Sequence, residues 1–496
     1  MIIKKDISML QNYFEDNSGL RGAFADFVAL AENEKDIADF LIEMSQKKIP
    51  VTVAGAMTAN TGAALAFGGA VLSLEKLNKI GGIKVIDGKN AYICAQAGAR
   101  LCAIKEKVYG QGWLYPPDPT EKNSSIGGNI STNASGGIGF KFGSTRDYIK
   151  SLKIIFTDGS DCFIERGKCF ADSNGVLSFR KGGGECKIKL PKYILPAIKN
   201  AAAYYNYDGA DLIDIFIGSE GTLGVIYEAE LFLIPAYKDI IGGFVFFNSK
   251  KETLIFTQNL LSQMHSKTSA VYPMSLEYLD GNSLQILRAD YPQIPQEAQG
   301  ALIFEQDIYE EQEREALTDK WATFLEENSI DFEKVWFASN AAQMKNFLEI
   351  RADLPRKVNE MVKKNGFPKV YSDFAVPEGK LFEIYDFCEA QFKELNLPYL
   401  FFGHIGENHL HANIIAANEA DFTRAKEIYS VIIQKVVDLG GTCSAEHGIG
   451  KTRHLFLEKM IGKVGFAQAS KFKLSLDKSG ILGAGNIFPK EYLKQA

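Results

Sequence analysis

Three histidines, His404, His409 and His411, stand within eight residues of one another in the segment GHIGENHLHANI (403–414). Further along, SAEHGIGKTRH sets Glu446 beside His447, and five of the six histidines fall between 404 and 454. A lone histidine in a strand is usually a satisfied core or surface residue. Three imidazoles with a distant Glu-His pair are a different matter, because neutral nitrogen donors and a carboxylate are what a borderline divalent cation selects. Spacing leaves two pairings open. His409 and His411, two apart, share a face of a regular strand, whereas His404 and His411, seven apart, face opposite sides. Yet Gly406-Glu407-Asn408 reads as a turn or bulge, and that breaks the period. A rival reading takes Ala445 to Thr452 as a loosened Walker A, with alanine where its first glycine belongs. Glu446 would then place a carboxylate inside the amide cradle and repel phosphate. Too little chain follows for a magnesium-holding strand, and nucleotide hydrolysis is set aside.

A second chemistry is written in the first half. Glycines cluster there in three nearly uncharged strings: GAMTANTGAALAFGG (55–69), SIGGNISTNASGGIGFKFG (125–143) and GSEGTLG (218–224). Bare backbone amides of this kind can approach a pyrophosphate closely. None of the strings fits G-x-G-x-x-G between a strand and a helix, so a Rossmann fold is disfavoured.

The elements that must position these groups follow from periodicity. KIPVTVAG, IKVIDG, AYICAQAG and LKIIFTDG read as strands bounded by glycine and Asp-Gly turns. Asn33 to Lys47 reads as an amphipathic helix burying Ile37, Phe40, Leu41 and Met44. Together they predict an α+β region ending near Pro235. Beyond it, KDIIGGFVFF, a helix over Lys251 to Met264, ALIFEQDI and a helix over Glu310 to Asn328 predict a second, antiparallel α+β domain.

Composition bounds the function. A chain of 496 residues is too long for one ordinary core and predicts two or three domains. Lys plus Arg is 55 against 61 acidic residues, a net charge of −6, which argues against a general nucleic-acid binder. Cys94, Cys102, Cys162, Cys169, Cys186, Cys388 and Cys443 form no C-x-x-C pair. That pattern fits a reducing compartment and offers no iron–sulfur run. The N-terminal MIIKKDISMLQNYFEDN lacks a signal-peptide core, and a cytoplasmic protein is expected. Val51 to Leu74 carries no charge, but its glycines and polar residues favour a ligand loop over a membrane span.

In order, GAMTANTGA, YPPDPTEKNSSIGGNISTNASGG, KFGSTRDYIKSLKIIFTDG and DLIDIFIGSEGTLGVIYEAELFLIP resemble the FAD-binding domain of the vanillyl-alcohol-oxidase superfamily. The chain is most similar to the FAD-linked D-2-hydroxyacid dehydrogenases, meaning D-lactate and D-2-hydroxyglutarate dehydrogenases and glycolate oxidase. The resemblance covers nearly the whole chain. It implies a PCMH-type FAD-binding domain over 1–236, an antiparallel α+β cap or substrate domain over 237–455, and a segment, 456–496, that returns to the FAD domain.

For the cofactor it implies a pyrophosphate loop at Gly55, Ala56, Met57, Thr58, Ala59 and Asn60. Relatives carry more glycine here, and Met57 is expected to exclude a φ > 0 role. Pro117, Asp118, Ser125, Ile126, Gly127, Gly128, Asn129, Thr132, Asn133, Ser135 and Gly136 match the segment lining the flavin and ribityl chain. Gly218, Glu220, Gly221, Gly224 and Ile226 match the adenosine side. No histidine precedes His265, which implies dissociable FAD rather than a histidyl bond.

For catalysis, FGHIGxxxLH and SAEHGIG resemble paired metal motifs. They imply His404, His411 and Glu446 as ligands of a divalent ion (Zn, Mn or Fe), and His447 as the base. Arg351, in FLEIRADLP, matches an arginine that pairs with the substrate carboxylate, and Asn413 a polar residue near the substrate. GENHLH stands for the usual GDGNLH, so Glu407, Asn408 and His409 depart, and His409 is an extra candidate ligand. Gly483-Ala484-Gly485-Asn486 replaces Asn-Pro-Gly-Lys. The implied activity oxidises a small D-2-hydroxy acid to the 2-oxo acid and passes electrons to a separate acceptor, whether quinone, flavoprotein or iron–sulfur subunit. A homodimer is compatible with it. Two alternatives share the architecture: a non-redox alkylglycerone-phosphate synthase, which shows a run of histidines where this chain has Ala445-Glu446-His447, and an idle flavin subunit, which would lack the His/Glu set.

Overall fold

The helix Glu34–Lys47 begins where Asn33 caps it, its side chain accepting from the Asp36 amide, and it buries Ile37, Phe40, Leu41 and Met44 as the spacing predicts. The computed structural model describes residues 1–265 and 271–495. This first helix lies with a small sheet in which Phe27–Leu30, Ala70–Ser73 and Val51–Ala54 run parallel and Ile2–Lys4 adds an antiparallel edge. The uncharged stretch 51–74 is therefore two buried parallel strands and the glycine loop between them. No described helix is long and apolar enough to cross a membrane.

A second, antiparallel sheet is built around Val225–Pro235, which pairs with Ala91–Gln96 on one side and Ile149–Ile155 on the other. The glycine string 125–143 folds against it as the short helix Ile126–Thr132, with Ser125 accepting from the Gly128 amide. The strand reading of the first half stands.

Beyond Pro235 the chain forms one eight-stranded antiparallel sheet, in the order Val335–Ala338, Asp239–Phe247, Gly300–Ile308, Ser275–Asp280, Tyr399–Gly403, His409–Ile414 and Val370–Tyr371, with Phe374–Ala375 also on His409–Ile414. Gly300–Ile308 is buried along its whole length, which explains its lack of apolar/polar alternation. Helices Lys250–His265 and Glu313–Glu327 cover one face, where Phe304 stacks on Trp321, and Ala341–Asn365 covers the other. The α+β class with a second antiparallel part is thus as expected.

The C-terminal segment returns to the first sheet. Val51 donates to the Ile481 carbonyl at 2.8 Å and Gly483 to the Val51 carbonyl at 2.9 Å. Asn486 Nδ2 donates to the carbonyls of Ala63 (2.9 Å) and Glu220 (3.1 Å), and its Oδ1 accepts from Lys451. The substituted Gly-Ala-Gly-Asn ending therefore staples two glycine strings together.

Candidate active site and metal centre

The turn between the two histidine-bearing strands decides which imidazoles meet. Tyr399–Gly403 and His409–Ile414 pair antiparallel, Phe402 opposite His411, and the link is a tight turn, Ile405–Glu407, ending in left-handed Asn408 (φ 51°). His404 follows the first strand directly, so the turn resets the strand period and places its ring centroid 5.8 Å from that of His411. One donor atom each from His404, His409, His411 and Glu446 lies within 4.8 Å of the others.

His404 and His411 each have an orienting partner. His404 Nδ1 stands 2.5 Å from Glu277 Oε1, which leaves Nε2 3.6 Å from Glu446 Oε2. His411 Nδ1 is 3.2 Å from the Ser372 carbonyl, which leaves Nε2 3.6 Å from Glu446 Oε1. Such partners fix tautomer and aim, as behind metal-bound histidines. The donor set, two Nε2 atoms around one carboxylate, fits a divalent cation. Burial opposes charge on His404, but Glu277 and Glu446 outweigh it and carry its pKa up to about 9. Burial, with help from His411, pushes His409 down to about 3. Burial likewise lowers His447.

Three residues that sequence reasoning missed organise this cluster. Glu277 turns its second oxygen to Arg351, 2.9 Å from Nη2 and 3.2 Å from Nε. Its carboxyl is buried, yet Arg351 and His404 hold it well below the usual carboxylate range. Asp373 is wholly buried and accepts from Arg453, from Ser444 Oγ at 2.7 Å and from the His447 amide at 3.0 Å. It thereby shapes the SAEHG loop. Lys199 brings a cation from the first half of the chain, 2.7 Å from Glu407 Oε2 and 3.3 Å from Glu446 Oε2. Burial disfavours the Lys199 charge, but both carboxylates more than offset this and raise its pKa. For Glu277 the available signal was a charged residue inside the apolar strand of MSLEYLD.

His447 stacks on His411 at 5.6 Å between centroids, with Asp373 Oδ2 3.4 Å from its Nδ1. Asn413 is buried on the strand of His411 and donates to its carbonyl at 3.0 Å. His411, Asn413 and His447 open on one cavity of about 530 Å³. Gly55 to Asn60 line it, as do Ser125, Gly127, Gly128, Asn129, Thr132, Ser135, Gly136, Glu220, Gly221, Gly224 and Ile226, and its far end holds Arg351, His404, His411, Asn413, Glu446 and His447. Ser124 Oγ and Asn129 Nδ2 on the wall have no hydrogen-bond partner among the described residues. Free donors on a glycine-lined wall fit a phosphate-bearing cofactor such as FAD.

Five expected cofactor residues lie elsewhere. The helix period turns Gly127, Gly128 and Thr132 to the cavity and Ile126 to the core. Asn133 caps that helix in the left-handed region, accepts from the Arg146 amide at 2.9 Å and, with Gly218, lines a second cavity of about 270 Å³. Pro117 is buried. The Asp118 carboxylate sits between Lys105 and Lys122, both at 2.5 Å. It is the Asp118 backbone that meets the glycine string, because a Cβ on Gly136 (φ +95°) would fall 1.9 Å from its carbonyl oxygen.

Met57 also departs from expectation, with φ at +58°. The loop demands a left-handed residue there, and packing of the Met57 side chain against the Leu10–Tyr13 cluster offsets a strain of about 1–2 kcal/mol. Glu220 faces the chemistry in an unexpected way: its carboxylate accepts from the amides of Ile449 and Gly450, both at 2.7 Å. Burial raises its pKa to about 7. The amides a Walker loop would offer to phosphate are thus occupied by a carboxylate.

Residues 25–161 match the model of an FAD binding domain, and residues 257–487 that of the C-terminal domain of FAD linked oxidases. The chain is 26% identical over 485 residues to glycolate oxidase subunit GlcD of Bacillus subtilis (strain 168), covering 95% of this chain and 90% of that one. It is 28% identical over 490 residues to a D-lactate dehydrogenase of Anaerostipes hadrus, covering 96% and 92%. A solved alkyldihydroxyacetonephosphate synthase superposes with a TM-score of 0.65 at 16% identity, over 97% of this chain and 82% of that one, which shows the shared fold alone. The resemblance carried by the glycine strings and histidine motifs is borne out: the chain belongs to the FAD-linked oxidases and is an FAD-dependent oxidoreductase.

Proposed function

We propose that this oxidoreductase converts a small D-2-hydroxy acid, of the lactate or glycolate kind or its longer homologues, to the 2-oxo acid, with dissociable FAD and a divalent ion held by His404, His411 and Glu446. One observation carries the reading: those three donors, Arg351 and His447 converge on the wall of the same cavity that the glycine strings line. The relatives named for glycolate oxidase and D-lactate dehydrogenase support the substrate class. When bound, FAD supplies the hydride acceptor and the divalent ion polarises the hydroxyl.

The chain's own groups do the rest. Arg351, aimed by Glu277, pairs with the substrate carboxylate through its planar fork. Asn413 borders the same space. His447, with Asp373 behind Nδ1, presents Nε2 to take the hydroxyl proton. The cap residue Tyr371 donates to the Asn60 carbonyl at 2.9 Å and holds the cap against the first glycine loop, which keeps water from the reacting centre. In this reading residues 1–236 bind the cofactor, 237–455 form the cap and 456–496 close the FAD side. The electrons pass to a separate acceptor.

The test is anaerobic bleaching of the bound flavin by a panel of D- and L-2-hydroxy acids. Bleaching by D-isomers is expected. Bleaching by L-isomers only, or by none, would overturn the reading.

A further inference from the structure

His409 stands where the related motif carries asparagine, GENHLH for GDGNLH, and the reading above leaves it without a task. The residue is 0% exposed, wedged between His404 and His411 at 5.3 and 4.5 Å between ring centroids. Both flanking rings have Nδ1 tied, one to Glu277 and the other to the Ser372 carbonyl. His409 has no such tie. Among the described residues neither of its nitrogens makes a hydrogen bond, although Asp373 Oδ1 lies 3.1 Å from Nε2. A wholly buried imidazole whose Nδ1 faces no partner among the described residues needs one. A donor atom of His409 also falls inside the 4.8 Å cluster of His404, His411 and Glu446.

We propose that His409 is a fourth protein ligand of the divalent ion, through Nδ1, with Asp373 orienting the ring from the Nε2 side. The inference rests on the metal site of the proposed function and deepens it. A carboxylate behind the far nitrogen is the arrangement that aims metal-bound histidines. Three imidazoles and one carboxylate would supply the four protein donors that zinc commonly takes. Imidazole in place of a neutral amide also shifts preference toward zinc or cobalt and away from manganese. The competing reading is a neutral histidine that fills the space between two ligands and touches no metal.

The experiment uses the flavin-loaded enzyme, stripped of metal by a chelator and titrated with Zn²⁺ and with Co²⁺ in competition with an indicator. His409→Asn, which restores the motif's amide, is expected to weaken binding of both ions at least tenfold and to alter the visible ligand-field bands of bound Co²⁺. X-ray absorption of the Zn²⁺-loaded wild type needs no variant to fold, and three imidazoles per zinc are expected. Affinity within twofold of wild type with unchanged Co²⁺ bands, or a count of two imidazoles, overturns the proposal while leaving the metal site standing. A wild type that takes up neither ion overturns the metal site itself.

Discussion

Glu277 Oε1 lies 2.5 Å from His404 Nδ1, while the other oxygen of the same carboxylate holds Arg351. One buried group therefore aims both a candidate metal ligand and the candidate substrate arginine. Replacing it as Glu277→Gln removes the carboxylate charge that both groups face. Metal affinity is expected to fall 10- to 100-fold, as for other orienting partners, and KM to rise with it. Competition titration with Zn²⁺ and steady-state kinetics check this; an unchanged metal affinity would show Glu277 to be structural only.

Arg351→Ala leaves an anionic substrate without its partner in a buried site and also strands Glu277. The expected loss is about 2–5 kcal/mol in kcat/KM, mostly as KM. Arg351→Lys should recover only part, since an ammonium lacks the planar fork. An alanine variant with wild-type kcat/KM would leave Arg351 a structural partner of Glu277 only.

His447→Asn should lower kcat by about 10²–10⁴-fold while FAD and metal content stay at wild-type levels. The split between activity and metal content is what distinguishes a proton acceptor from a ligand. Loss of the metal in this variant would make His447 a ligand instead.

Lys199 sits 3.3 Å from Glu446 Oε2, so its ammonium competes with a divalent ion for the same carboxylate. Its neutralisation alone would strand Glu407, 2.7 Å away. The double variant Lys199→Met with Glu407→Gln keeps the charge balance and is expected to bind Zn²⁺ more tightly than wild type. Weaker binding would mean that Lys199 positions Glu446 for the ion rather than opposing it.

Removal of the divalent ion by chelation should abolish reduction of the flavin by a D-2-hydroxy acid without releasing the flavin, and reloading should restore it. The flavin absorption band and the rate of its bleaching are read on one sample. Full-rate bleaching after verified metal removal would contradict a catalytic role for the ion.

Local signals in the chain determined much of this. The helical spacing of Ile37, Phe40, Leu41 and Met44, the strands ending in glycine turns, and the glycine strings follow from side-chain period and backbone freedom, which act over a few residues. The histidine and Glu-His motifs likewise marked a candidate site by residue type alone. Tertiary structure decided the partners. Glu277 is 127 residues from His404, and only the pairing of Ser275–Asp280 with Tyr399–Gly403 brings the two together. Lys199, Asp373 and Glu220 likewise reach carboxylate, imidazole and amide partners far along the chain, and no periodicity encodes such a meeting. The left-handed Met57 was equally hidden, because its strain is offset by packing against residues far back in the chain. Register between strands and the packing of distant segments set those contacts, and both are properties of the folded whole.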